Sequence, residues 1–280
     1  MSHFTTNTYI MKRDILNFIK KFTINLSKPL KKFTADMTYG MLASNSCLLS
    51  DISDVLHEVI KKKNTIERLS NNLAKGTSDA LLSNYLNNIK AWVPVEPVIH
   101  IDDSDIVKPE GQKFQDLGIV RDGSASSSSK NIYKKGYHVT EACVLTKSGH
   151  PVSIFSKIHS SKEKNFKSIN TFTFLAMELG KELFTKATFI MDRGYDDNKM
   201  FLKLDKLGQD YVIRLTRRRK LLLHNKWVPA TELCNRRKGK IKSSFIYKGK
   251  EHTAYLSHVK VQVTASRKNV NLVLIYGITQ

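Results

Sequence analysis

The sequence predicts an α/β fold: a mixed β-sheet flanked by helices, with a helical region before it and a β-rich region after it. Three observations predict it. The stretches Val98-Ile99-His100-Ile101-Asp102-Asp103-Ser104-Asp105 and Phe189-Ile190-Met191-Asp192-Arg193-Gly194-Tyr195 are both apolar runs that end in aspartate, the pattern of core strands reaching a sheet edge. Around them the hydrophobic period alternates between that of strands and that of helices. Beyond residue 215 short strand-like segments follow one another with little helical pattern between them.

Residues 1–97 read as helices at 11–22, 38–61, 65–73 and 78–89. In the second of these, Leu42, Leu48, Leu49, Ile52, Val55, Leu56 and Val59 fall near helical spacing, with Ser53 or Asp54 as a candidate cap. In the last, Leu81, Leu82, Tyr85, Leu86 and Ile89 share one face. Pro94 and Pro97 then close the helical region, which reads equally as a DNA-binding module or as a supporting bundle.

Residues 98–215 alternate strands and helices. After the first aspartate strand, 108–130 reads as a polar loop with Gly111, Gly118, Gly123 and a serine run at 124–129. A hairpin follows at 137–145 and 152–158, turning at Ser148-Gly149-His150-Pro151. Ile169, Phe172, Ala176, Leu179 and Leu183 mark one helix face. The second aspartate strand spans 188–191, Asp196 or Asp197 caps the next helix, Gly208 ends it, and 211–215 is a further strand. Residues 216–280 open on Arg217-Arg218-Arg219-Lys220. Strand-like segments follow at 220–224, 243–247, 252–257, 259–264 and 271–278, with the basic loop Arg236-Arg237-Lys238-Gly239-Lys240 among them.

Charge narrows the function. Lys and Arg number 46 against 25 Asp and Glu, a formal net charge of +21. Residues 1–97 carry 13 basic and 8 acidic groups, 98–210 carry 17 and 15, and 211–280 carry 16 and 2. An excess of that size in the last segment calls for a polyanion partner. No apolar run is long enough for a membrane span, and the first residues contain no apolar signal core. Cys47, Cys143 and Cys234 form no paired spacing, which excludes a zinc frame and is the usage of reduced thiols.

If the two aspartate strands lie side by side, Asp103 and Asp192 converge. Two carboxylates at strand ends suit a hard divalent cation, because Mg²⁺ takes oxygen ligands and holds substrate phosphates. His100 and His138 sit on strands, where a histidine is more often a partnered residue than a ligand.

The Ile-Asp-Asp-Ser segment, the Met-Asp-Arg-Gly-Tyr-Asp segment and the strand order resemble bacterial insertion-sequence transposases of the DDE type, over roughly residues 98–280. The resemblance implies an RNase H-like catalytic core at 98–215. It also implies a β-rich insertion at 216–280 and a helical DNA-binding region at 1–97. It makes Asp103, followed by Ser104, the first catalytic and metal-binding aspartate, with Asp102 set aside, and Asp192 the second. It implies Mg²⁺ or Mn²⁺ as cofactor and metal-dependent cleavage and strand transfer at element ends. Its partners would be double-stranded DNA carrying terminal inverted repeats and a second copy of the chain on that DNA, in the bacterial cytoplasm at the nucleoid. Candidate DNA contacts are Arg193, Arg217, Arg218, Arg219, Lys220, Arg236, Arg237 and Lys238. The family's third carboxylate, a glutamate in the spacing Tyr-x-x-Arg-x-x-x-Glu, does not occur. The acids after Asp210 are Glu232 and Glu251. The expectation is a chain cut before the last catalytic helix, holding two of three carboxylates and inactive as it stands. The competing readings are a basic nucleic-acid-binding protein without catalysis and an RNase H-like nuclease unrelated to transposition.

Overall fold

The computed structural model describes residues 2–127, 129–263 and 268–277, with side chains from residue 9 onward. Ser128, Thr264 and Ile278, which fall in segments read above as loop or strand, lie outside the described residues. The chain divides into two compact units, Met1–Val93 and Pro94–Gln280.

The first unit is helical: α1 (Ser2–Phe22), α2 (Lys28–Ser44), α3 (Leu49–Leu56), α4 (Lys62–Leu73) and α5 (Asp79–Ile89). The single helix expected over 38–61 is two, so Ser53 and Asp54 lie inside α3 and cap nothing. Asn45 takes a left-handed conformation (φ 51°) that ends α2, a role open to Asn because its short side chain tolerates that region. The break lets α3 fold back on α2 at Gly40, where a Cβ would stand 2.4 Å from Ile52 Cγ2. Ile52, Leu69 and Ile89 are fully buried, and Phe18, Phe22, Tyr85 and Trp92 form an aromatic cluster. A charged knot joins the helices. Glu58 binds Lys32 at 2.6 Å and Arg68 at 2.9 Å, and Arg68 also reaches Asp36 at 2.8 Å.

The second unit begins with the aspartate strand β1 (Val98–Val107) and contains two sheets. The first adds β2 (Gly118–Arg121), β3 (Tyr133–Leu145), β4 (Pro151–His159), β5 (Thr188–Met191) and β6 (Asp210–Ile213). Its order is β2-β3-β1-β5-β6, with β4 also on β3. β1, β3 and β4 are antiparallel, while β5 and β6 run parallel to β1. With α6 (Ile169–Leu183) between β4 and β5 and α7 (Asn198–Leu207) between β5 and β6, this is the RNase H-like arrangement. α6 packs closely where Gly180 meets the sheet; a Cβ there would lie 2.8 Å from Phe189 Cζ and 3.0 Å from Ile99 Cδ1. Asp197 caps α7 through Lys199 N, and Gly208 (φ 66°) ends it, as expected.

The polar stretch 108–130 is not all loop. β2 lies within it, with Val120 buried. Asp122 then organises the turn by accepting from Ser124 N, Ser124 Oγ and Ala125 N, and it pairs with Lys134 at 2.8 Å. These bonds, the one from Lys134 first, hold its carboxyl well below the usual range.

The second sheet comprises β7 (Lys220–Leu223), β8 (Lys226–Pro229), β9 (Ile241–Tyr247), β10 (Lys250–Val263) and β11 (Asn269–Tyr276), with a short helix α8 (Ala230–Arg236). The segments expected at 252–257 and 259–264 are one continuous strand, β10. The sequence pattern did not reveal β8 or α8. Leu221, Val228, Leu233, Val259, Val261, Val263, Leu272 and Leu274 share a core with Phe201 of α7, so this sheet is built onto the first.

Candidate active site

β1 and β5 are parallel, with Ile99 opposite Phe189 and Ile101 opposite Met191. Those four side chains are buried, and Ile99 and Phe189 face α6. Side chains alternate along a strand, so each residue that follows the last apolar pair turns to the other face. Those residues are Asp102 and Asp192, both exposed, one step beyond the register pair Ile101–Met191.

Asp102 feels the charge of its neighbours. The surrounding protein strips part of the hydration of Asp102, and the negative charges of Asp192 and Asp103 add to this. Together they push its carboxyl above the ordinary range, against a hydrogen bond from Asp103 N at 3.1 Å. Asp192 caps the 3-10 turn Arg193–Tyr195, accepting from Gly194 N at 2.6 Å. A Cβ at Gly194 would stand 2.9 Å from Asp192 Oδ1, so glycine lets the turn close on the carboxylate.

Asp103 has the opposite parity. It lies opposite Thr140 of β3 and accepts from Thr140 Oγ1 at 2.5 Å. The Tyr195 phenol, buried just beyond Asp192, lies against it. Burial first, and then the Asp103 charge, drive the phenol far above its ordinary range and keep it neutral. Thr140 donates its one hydroxyl proton to Asp103, so His159 Nε2, 3.0 Å away, donates to Thr140. His159 is fully buried, stacked on Phe172 at 4.0 Å. Burial and then His138 lower its pKa, with Asp103, Glu163 and Asp105 pulling the other way. His138 Nδ1 in turn meets Asp105 at 2.7 Å. The structure therefore gathers Asp102 with Asp192 on the open face, and Asp103 with Thr140, Tyr195 and His159 beneath it. The sequence reading missed the last three. Strand parity was the available signal for the aspartates: Ile99, Ile101 and Asp103 share one face.

Hard anionic oxygens on two adjacent parallel strands fit a divalent cation, which would offset the negative charge of Asp192 and Asp103 beside Asp102. Among the described residues no cluster of three or more His, Cys, Asp or Glu side chains is arranged to hold a metal. Glu232 on α8 pairs with Arg236, and Glu251 on β10 is exposed.

The basic candidates separate. Arg193, Arg217, Arg218, Lys220, Arg236 and Lys238 are exposed, and Arg237 is half-buried. Arg237 Nη1 reaches His258 O at 3.4 Å. Arg219 is turned inward. Its Nε bonds Asp196 Oδ1 at 2.6 Å, its Nη1 bonds Asn198 at 2.7 Å, and its guanidinium lies over the Phe201 ring. No helix among the described residues is long and apolar enough to cross a membrane, and the three cysteines are free.

No curated protein matches the chain. Residues 94–270 match the family model described as a transposase DDE domain, which covers both aspartate strands and most of the second sheet. The parallel aspartate strands, the RNase H-like order and that match lead to one conclusion: the chain belongs to the DDE transposases of insertion sequences.

Proposed function

We propose that this chain carries two of the carboxylates of a site for metal-dependent phosphoryl transfer on DNA ends, with Asp102 and Asp192 as the pair that holds Mg²⁺ or Mn²⁺. The observation that carries the reading is the parallel register of β1 and β5: Asp102, midway along β1, and Asp192, just after β5, both lie one step past its last pair, Ile101–Met191, and both are exposed. A divalent ion held there supplies Lewis-acid polarisation of the phosphoryl oxygens. The chain's own residues do the rest. Rigid strands fix the carboxylates, Gly194 N orients Asp192, and Arg193 beside it is exposed for a phosphate oxygen. Asp103, to which the family resemblance gives this role, has a carboxylate engaged by Thr140, and its part is a supporting one.

DNA is held through cations on the segments after β6: Arg217, Arg218, Lys220, Arg236, Arg237 and Lys238. Arg219 drops out because its guanidinium is committed to Asp196. In the helical unit, Lys12, Arg13, Lys20 and Lys31 line a groove between α1 and α2, which supports a DNA-binding role for that unit as well. Terminal inverted repeats are the expected sites and a homodimer on DNA the expected assembly.

These 280 residues contain no glutamate in the spacing Tyr-x-x-Arg-x-x-x-Glu. With two carboxylates the chain binds metal weakly and cleaves little. The test is Mn²⁺ binding followed by electron paramagnetic resonance, with cleavage of labelled end DNA beside it. Binding abolished in both Asp102→Asn and Asp192→Asn, with no cleavage by the unaltered chain, supports the reading. Binding indifferent to both substitutions overturns it. Cleavage by this chain alone would show that Glu232 or Glu251 completes the site.

A further inference from the structure

β10 has different neighbours along its length. From Tyr255 to Gln262 it pairs with β11, and from Lys250 to Leu256 it pairs with β9 on its other edge. Tyr255 and Leu256 have both partners, whereas among the described residues 250–254 pair with β9 alone. The hairpin 241–254 therefore runs out of the sheet as a two-stranded ribbon. All residues from 241 to 253 except Ser243 and His252, which are half-buried, are exposed, so both faces of the ribbon meet solvent.

Its ends are well made. Lys248 (φ 51°) and Gly249 (φ 74°) form a two-residue turn of the tight hairpin kind. At the base Lys240 N donates to Leu256 O at 2.9 Å. A Cβ on Gly239 would stand 2.4 Å from Tyr255 Cβ, so the chain crosses the sheet there as closely as glycine allows. Along the ribbon Phe245 stacks on His252 at 5.6 Å, and Lys248 lies over the Tyr247 ring. Ile246 is 79% exposed and Tyr247 57%, on a ribbon that has no core of its own.

An isolated two-stranded ribbon is marginal in water. One that carries exposed aromatic and apolar side chains is completed by a partner. The charge says which kind: residues 240–254 contain Lys240, Lys242, Lys248 and Lys250 against Glu251. A two-stranded β-ribbon fits the major groove of duplex DNA. Seven residues of β9 extend about 23 Å at the rise of a strand, enough to lie along the groove with lysines toward both phosphate walls. We infer that the hairpin 241–254 is an arm that enters the major groove of duplex DNA, with its lysines on phosphates and Tyr247 against base edges. The inference rests on the reading of this chain as a DNA-acting protein, and it adds a point of attachment separate from the carboxylate site.

The test uses the full chain and fluorescence anisotropy with a duplex of about 30 base pairs over a salt series. The triple variant Lys242→Gln, Lys248→Gln, Lys250→Gln should bind roughly tenfold more weakly, and the slope of log affinity on log salt should fall by up to about 0.9 for each phosphate no longer neutralised. Tyr247→Ala should weaken binding and leave the slope unchanged. Unaltered chain should bind poorly to duplex whose major groove is filled by glucosylated hydroxymethylcytosine, and distamycin in the minor groove should not compete. Circular dichroism and thermal melting establish that the variants are folded. Unchanged affinity and slope in the triple variant overturn the arm, as does equal binding to glucosylated duplex. So does a change in molecular mass by light scattering without a change in DNA binding, which would make the ribbon an interface between copies. An unaltered chain that binds no DNA overturns the broader reading, whereas DNA binding indifferent to the arm overturns only this one.

Discussion

Asp196 and Arg219 form an inward ion pair at 2.6 Å, their side chains 1% and 11% exposed, between the turn that follows Asp192 and the start of the second sheet. Asp196 Oδ2 also accepts from Thr216 N at 2.7 Å and Thr216 Oγ1 at 2.8 Å, so its lone pairs are filled. The pair explains why one arginine of the Arg217–Arg218–Arg219 run is unlike its neighbours. Arg219→Ala leaves a carboxylate buried without its cation, and urea denaturation should show destabilisation of about 3 kcal/mol. Arg218→Ala should change stability by less than about 0.5 kcal/mol.

Neighbouring aspartates on β1 should respond differently to the same change. Asp102→Asn should abolish Mn²⁺ binding and leave the melting temperature unchanged or slightly raised, because it removes charge repulsion with Asp192. Asp103→Asn should retain most metal binding but cost about 1–3 kcal/mol of stability, because it weakens the bond from Thr140 and the interaction with Tyr195. Calorimetric metal titration beside thermal melts separates the two. Metal binding abolished in Asp103→Asn and kept in Asp102→Asn would reverse their roles.

In the helical unit, acid should act through Glu58. Burial raises its pKa, but hydrogen bonds from Lys32, Arg68 and Thr65 outweigh that and lower it from 4.5 to about 2. A carboxyl depressed in the folded state contributes stability that is complete above about pH 4.5 and is lost as pH falls toward 2. The contribution is on the order of 1–3 kcal/mol, reduced by solvent screening of this half-open cluster. Glu58→Gln should therefore flatten the pH dependence of unfolding in that window. An unaltered acid limb would show that the knot contributes nothing.

Salt dependence should separate the outward cations from the inward one. Arg217→Gln, Arg218→Gln and Lys220→Gln together should lower the salt slope of DNA binding by up to about 0.9 for each phosphate that goes unpaired. Arg219→Lys should leave that slope in place and act on stability instead, since lysine cannot reproduce the bonds to Asp196 and Asn198 together. A full slope in the triple variant would remove this segment from the DNA interface.

Much of this fold was legible because its strands state their own parity. The run Thr188–Met191 and the helix Asn198–Leu207, bracketed by Asp197 and Gly208, follow from periodicity and caps. β2 escaped because four residues in a polar stretch leave no period to count; its place is fixed by pairing with β3. The helix break at Asn45 escaped because apolar spacing runs through it, and only the packing of Gly40 on Ile52 requires the turn. At the site, a Ser after an aspartate drew attention to Asp103. Geometry weighs differently, since Asp103 shares the face of Ile101 and Asp102 does not. His159 had no sequence signal at all, because its role comes from Thr140 on another strand.

β10 runs unbroken for 14 residues, from the tip of the ribbon to Val263 opposite Leu221 of β7. An extended strand resists stretching, so over about 43 Å it behaves as a stiff rod. A pull on the tip is delivered to β7, which begins one residue beyond Arg219 and its ion pair with the turn after Asp192. No hinge interrupts that line of force. If the ribbon grips DNA as inferred above, tension at the far end would load the mounting of the carboxylates, and the strand that bears weight at one end would set alignment at the other.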